Sequence, residues 1–166
     1  MNKKLAQMMQ DQVSKEIWSG YLYLQVAEYY RAKGLDGFYE IFKKHFYEEL
    51  EHAEKFQDYL SEMGEEVKLQ AIAAPDLNFK DLREPLVFQL EHEKLVTSLI
   101  EALYREARAE DDLQAMDFLR WYIDEQREEE RNAVADLEFY DMFADGCKQG
   151  LLAMNKRMAK MARKED

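Results

Sequence analysis

Residues 65–81 read EEVKLQAIAAPDLNFKD, and the length of this stretch decides how the rest of the chain is arranged. On either side of it, apolar residues recur at helical spacing. Upstream, a first segment runs from about Lys3 to Ala32 and stops at Lys33-Gly34; a second starts near Asp36, read as its N-cap, and ends at Met63-Gly64. Downstream, a third spans roughly Leu82 to Ala109, with Pro85 tolerated in its first turn. After Glu110-Asp111-Asp112 a fourth runs to about Ala144 and ends at Asp145-Gly146. Tight turns within each pair make two antiparallel hairpins. The 17 residues between the hairpins, Pro75 among them, reach roughly 55 Å when extended. A helix of 28 residues is only about 42 Å long. The link can therefore run the full length of a bundle, which predicts an all-α four-helix bundle with one long crossover between helices two and three. A compact surface loop is the alternative. A short fifth helix is expected near Lys148 to Met161, apolar on one side and basic on the other. The span 1–166 is read as one domain, with the bundle at about 3–144 and the fifth helix at about 148–161.

Composition agrees with helices. Six Gly and two Pro are few for 166 residues, while good helix formers are plentiful. A hydrophobic fraction of 47 % with 35 % charged residues suits amphipathic helices with charged outer faces. The net charge of −12 argues against a nucleic-acid partner and is compatible with collecting cations. The lone Cys147 rules out an internal disulfide and fits a reducing cytosol. Neither a signal core nor a stretch approaching the roughly 20 apolar residues of a membrane span is present, so a cytoplasmic protein is expected.

The two hairpins carry metal-capable residues at one spacing. Glu16 is followed 33 residues later by Glu49 and 36 later by His52; Glu93 is followed 33 later by Gln126 and 36 later by Glu129. In each hairpin the first residue lies about 18 positions before the turn and the others about 15 to 18 after it. All six therefore reach one height in the bundle. They also fall on core-facing stripes: Leu5, Met9, Gln12, Glu16, Gly20, Tyr23 and Ala27 on helix one; Phe38, Phe42, His45, Glu49, His52, Phe56, Tyr59 and Met63 on helix two. Helix three offers Leu86, Glu93, Val96, Ile100 and Leu103; helix four offers Leu119, Tyr122, Gln126, Glu129, Ala133, Leu137 and Tyr140. Four carboxylates at one level of a core repel and are costly to desolvate. Two divalent cations would neutralise them. Ordinary glutamates on solvated faces would account for one such residue but not for six at matched spacing.

Glu49-x-x-His52, with single glutamates on other helices, resembles the ferritin-like di-iron carboxylate proteins. The second motif reads Gln126-x-x-Glu129 instead of Glu-x-x-His. That asymmetry is similar to the non-haem ferritins and departs from bacterioferritins and from radical-forming and peroxidase di-iron enzymes. Leu50 stands where bacterioferritins carry a haem-ligating Met, so no haem is expected. The resemblance covers nearly the whole chain, includes Trp121-Tyr122-x-x-Glu125-Gln126-x-Glu128-Glu129-Glu130, is strongest for bacterial-type ferritins, and is weakest over Phe143 to Asp166.

The resemblance implies a ferroxidase that oxidises Fe²⁺ with O₂ or H₂O₂ and stores ferric mineral in a hollow shell of 24 subunits. One iron would be held by Glu16, Glu49 and His52, the second by Glu93 and Glu129, with Glu49 bridging and Gln126 close by. Ligand type alone does not exclude Mn²⁺ or Zn²⁺; the preference for iron comes from the resemblance. A third iron site would use Glu48, Glu125, Glu128 and Glu129, for which a solvated acidic face is the plain alternative. Tyr23 would stand beside the iron pair and supply an electron, although spacing alone equally allows a hydrogen-bonded core tyrosine. His45 is read as structural, and His92 as a helix–helix contact. Leu151, Leu152, Met154 and Met158 of the fifth helix are expected around a symmetry axis. Two rivals share parts of this reading: a non-storage di-iron oxidase or peroxidase, and a metal-free helical interaction module.

Overall fold

The path of residues 63–83 separates the two topologies open to the chain. In the computed structural model, which describes residues 1–164, α1 (Lys3–Arg31) and α2 (Asp36–Glu62) form one antiparallel hairpin, α3 (Glu84–Ala109) and α4 (Leu113–Phe139) the other. Gln10 Nε2 donates to the Glu66 carbonyl, and Gln70 Nε2 donates to Asp11. Some 20 residues further along α1, the Tyr29 and Tyr30 hydroxyls donate to the carbonyls of Asp81 and Leu82. At 1.5 Å per residue these anchors lie about 30 Å apart. The link is stretched along α1 and is not a compact loop. Among the described residues there are five α-helices and no strand, an all-α bundle with one long crossover. No helix among them is long and apolar enough to cross a membrane. Glu165 and Asp166, the last two residues of the span read as one domain, lie outside the described residues.

Helix ends follow their local chemistry. Gly34 and Gly64, past the ends of α1 and α2, take φ of 75° and 79°, a conformation that costs glycine least. Asn2 accepts from the Leu5 amide at 2.7 Å and Asp112 from the Ala115 amide at 3.0 Å, capping α1 and α4. The start of α2 corrects the sequence reading. Asp36 is already helical, and the cap position, Leu35, has no side-chain bond to give. The acceptor comes from α5 (Lys148–Ala162): Asn155 Oδ1 takes the amides of Gly37 and Phe38 at 2.8 and 3.2 Å. A Cβ on Gly37 would lie 1.8 Å from the Asn155 carbonyl oxygen, so glycine is what allows this approach.

The fourth helix also differs at its end. Its last turn, Tyr140–Ala144, widens to π geometry before Asp145 and Gly146. The fifth helix then folds back on α2, with Met154 and Met158 fully buried against the bundle. These two methionines therefore stabilise their own subunit, each by about 2 kcal/mol of apolar burial, and are not available around an axis. Leu152 remains exposed.

The core is interrupted at mid-height. One apolar cluster, including Met9, Phe56, Leu60, Ile100 and Leu119, fills one end of the bundle. Another, including Tyr30, Phe38, Phe42, Leu86 and Met154, fills the other. Between them lies a buried polar layer: Gln12, Glu16, Ser19, Glu49, His52, Gln89, His92, Glu93, Gln126 and Glu129.

Candidate metal centre

All six residues picked out by the 33/36 spacing lie in this layer, each no more than 9 % exposed. Glu16 comes from α1, Glu49 and His52 from α2, Glu93 from α3, Gln126 and Glu129 from α4. The ligand atoms of Glu16, Glu49 and His52 all lie within 4.8 Å of one another. Among the described residues this is the one group of three carboxylate, imidazole or thiol side chains so gathered. Gly20 contributes by being small: a Cβ there would stand 3.3 Å from the Glu49 Cβ, so its absence lets α1 and α2 close on the layer.

The electrostatics of the group are unfavourable without a cation. Glu16 Oε1 accepts from Gln12 Nε2 at 2.8 Å, but Glu16 Oε2 and Glu49 Oε2 are buried and have no donor among the described residues. Burial, then the Glu49 charge, pushes the Glu16 carboxyl well above the usual range. Burial and the charge of Glu93 do the same to Glu49. Glu129 is pushed up to about 7, chiefly by burial. All three carboxyls are thus shifted toward their neutral forms.

Glu93 is held differently. Its Oε1 accepts from the Tyr23 hydroxyl and its Oε2 from Gln126 Nε2 at 3.0 Å. Tyr23 thus satisfies both descriptions the sequence left open, a core tyrosine with a hydrogen bond and a neighbour of the carboxylate layer. Burial raises its pKa well above normal, so the phenol stays protonated. The Tyr122 hydroxyl donates to the His52 carbonyl at 2.7 Å and fixes the ligand-bearing turn of α2.

On the α1–α3 side the layer is closed. His92 Nε2 lies 2.8 Å from Ser19 Oγ, with Phe88 stacked on the imidazole and Trp18 at its edge. That is a helix–helix contact. On the α2–α4 side a groove of about 610 Å³ runs along the bundle. His45, Glu48, Glu125, Glu128 and Glu129 all line it. Glu125 Oε1 is 3.9 Å from His52 Nε2, so the groove reaches the central group. The four carboxylates Glu48, Glu125, Glu128 and Glu129 do not converge on one point as Glu16, Glu49 and His52 do. His45 Nδ1 instead pairs with Glu48 Oε2 at 2.8 Å, and Gln89 Nε2 lies 3.5 Å from its other nitrogen. Burial opposes the imidazolium, yet the bond to Glu48 and the nearby glutamate charges raise His45 to about 9.

Two groove and layer residues escaped the sequence reading. Gln12 was on the stripe of α1 but had no assigned partner. Asp136, only 3 % exposed and lining the groove, takes the core-facing place beside Leu137, which is half-buried. Its offset of seven from Glu129 was the available signal.

Comparison with known proteins agrees with this architecture. A profile of the Ferritin-like domain family matches residues 6–139. The chain is 32 % identical over 164 residues to a probable bacterial non-haem ferritin-like protein of Haemophilus influenzae, covering 99 % of each. It is 35 % identical to a bacterial non-haem ferritin of Bacteroides fragilis over 133 residues, 80 % of this chain and 84 % of that one. Among solved structures, an open-pore ferritin from the archaeon Archaeoglobus fulgidus superposes with a TM-score of 0.93 at 34 % identity, covering 96 % of this chain and 98 % of that one. With the family's domain spanning most of its length and relatives above 30 % identity matched over 80 % or more of the chain, the chain belongs to the ferritin-like family, as a bacterial non-haem ferritin.

Proposed function

We propose that the chain is an iron-storage subunit that oxidises Fe²⁺ at a di-iron centre in the polar layer. The observation that carries this reading is the convergence of Glu16, Glu49 and His52, with carboxylate oxygens that lack any donor among the described residues. Iron is substrate here. One Fe²⁺ takes Glu16, Glu49 and His52; the second takes Glu93 and Glu129, with Glu49 shared and Gln126 beside it. Carboxylate and imidazole donors suit Fe²⁺ that must still meet an oxidant. Binding must displace any protons that the raised carboxyls of Glu16, Glu49 and Glu129 hold, so metal affinity is expected to rise with pH. Four carboxylates gain more from a trivalent than from a divalent cation, so the site favours the oxidised product. Two adjacent irons give up one electron each, together the two electrons that take O₂ to the peroxide level or H₂O₂ to water. Where the oxidant is O₂, taking the resulting peroxide on to water needs two more electrons. Tyr23 would supply one of them, its phenolic proton passing to the acceptor it already has in Glu93, with a further Fe²⁺ supplying the other.

Glu48, Glu125, Glu128 and Glu129 form a third iron position on the groove side, between the pair and the storage space. A single bundle encloses no cavity, so storage requires assembly; the reading takes a hollow shell of 24 subunits. One experiment tests the whole. Fe²⁺ is added in air to iron-free protein while O₂ uptake, iron retained per subunit and assembly mass are measured. Rapid uptake with hundreds of irons held in a large shell is expected. Rapid oxidation without retention would make the chain a non-storage oxidase, and no metal binding at all would reject the reading.

A further inference from the structure

The groove carboxylates are already paired. Glu48 has both oxygens engaged: Lys44 Nζ lies 3.4 Å from Oε1 and His45 Nδ1 lies 2.8 Å from Oε2. The Lys44–Glu48 pair is sheltered, with side chains 24 % and 23 % exposed. Lys44 Nζ also reaches the Lys164 carbonyl at 3.4 Å, just past the end of α5, which ties it across the mouth of the groove. Glu125 has His52 at 3.9 Å. Glu128 has Arg131 at 3.5 Å, but that pair is open to solvent and carries little weight. The Lys44–Glu48–His45 arrangement is therefore the strongest hold on any of these carboxylates.

We infer that Lys44 is a built-in counter-cation that holds Glu48 out of the third metal position, so that a third cation must displace it and fills only after the central pair. This rests on the reading of Glu48, Glu125, Glu128 and Glu129 as an iron position. The chemistry is direct competition. An ammonium and a metal ion seek the same carboxylate oxygen, and one must leave before the other binds. The central carboxylates have no lysine or arginine partner among the described residues and offer no such barrier. The consequence is an order of filling: the oxidation pair takes cations first, and the groove accepts one when the local supply is high.

The test uses assembled, iron-free, full-length protein titrated calorimetrically with Zn²⁺ alone, a redox-inert probe. Two tight sites and one weaker site per subunit are expected. Lys44→Gln tightens the weak site about fivefold, as expected for loss of a sheltered ion pair, and leaves the tight sites as they were. Lys44→Arg, which keeps the charge, restores the weaker affinity. Glu48→Gln removes the weak site and, with it, any effect of Lys44→Gln. A weak site that depends on Glu48 but is unmoved or weakened by Lys44→Gln overturns the counter-cation role and leaves the third position standing. A weak site that survives Glu48→Gln, or no weak site at all, overturns the third position and this inference together.

Discussion

Glu48 and Glu49 are neighbours on α2 and face opposite circumstances. Glu49 points into the polar layer, where its Oε2 makes no hydrogen bond among the described residues, with His52 Nδ1 standing off at 3.5 Å, and burial with the Glu93 charge raises its pKa well above normal. Glu48 points into the groove; burial opposes its charge there too, but His45 and Lys44 hold its pKa below the usual value. The same side chain, one residue apart, is poorly supplied with positive charge in one place, where a single imidazole stands 3.5 Å away, and well supplied in the other, by a lysine and a hydrogen-bonded histidine. A carboxylate seeks a metal to the extent that the fold withholds other cations from it. The centre is built by withholding them, at a cost in stability that a bound metal or a proton relieves. The groove is built by supplying them, and on the inference above it is stable empty and reluctant to fill.

The sharpest way to break this contrast is to truncate one carboxylate of each kind. Glu49→Ala removes the ligand proposed to be shared by both irons, and the initial rate of Fe²⁺ oxidation is expected to fall by at least about 100-fold, since even supporting residues of metal sites cost 10- to 100-fold. Glu48→Ala is expected to leave the first turnover largely in place and to alter later iron uptake. Stopped-flow absorbance on both variants decides. Equal initial rates for Glu49→Ala and the parent would remove its bridging role.

A second test uses pH on the iron-free protein. Glu129 has a folded pKa of about 7 against an ordinary value of 4.5, and Glu16 and Glu49 are raised in the same direction. Between those values the folded state holds more protons than the unfolded one. Stability therefore falls as pH rises from about 4.5 through 7 and beyond, by a few kcal/mol per subunit. Saturating Zn²⁺ should flatten that slope, because the metal replaces the protons. Thermal unfolding between pH 4.5 and 8, with and without Zn²⁺, measures it. A slope that metal does not change would mean that the central carboxylates are compensated after all.

Much of this contrast could be read from the sequence, and the unread part has a physical reason. Helical rise forces residues at matched distances from a turn to one height, so the 33/36 spacing sets the depth of Glu16, Glu49, His52, Glu93, Gln126 and Glu129. The stripes give their inward orientation, because the 3.6-residue period leaves little choice. Residues 65–81 are simply long enough to cross the bundle. What escaped were partners contributed by distant parts of the chain. Asn155 caps α2 from 118 positions away, and no local pattern at Asp36 reveals it. Met154 and Met158 were legible as an apolar face, but the pattern does not say what that face covers. Local spacing could have paired Lys44 and His45 with Glu48, at offsets of four and three.

Asp136 tests the contrast at its boundary. It lies two turns beyond Glu129 in the same groove, and is as buried as the central glutamates. Its one nearby ion-pair contact among the described residues, Arg157 on α5, stands at 4.0 Å from an Oδ1 that accepts no hydrogen bond. Burial raises its pKa to about 6, against an ordinary 3.8, although His45 and Arg157 pull the other way. Asp136 is a groove carboxylate with an incomplete supply of positive charge. The folded state holds its proton more tightly, so the penalty for its charge grows from about pH 4 to 6 and is fully present above 6. Asp136→Asn keeps the shape and removes the charge. It is expected to stabilise the iron-free protein by about 1 kcal/mol at pH 8 and by almost nothing at pH 4, once the loss of the Arg157 contact is set against relief of burial. Denaturation at the two pH values reads the difference. Destabilisation at pH 8 would show that a loose arginine is compensation enough, and the line between starved and supplied carboxylates would then fall at Glu129 and not at Asp136.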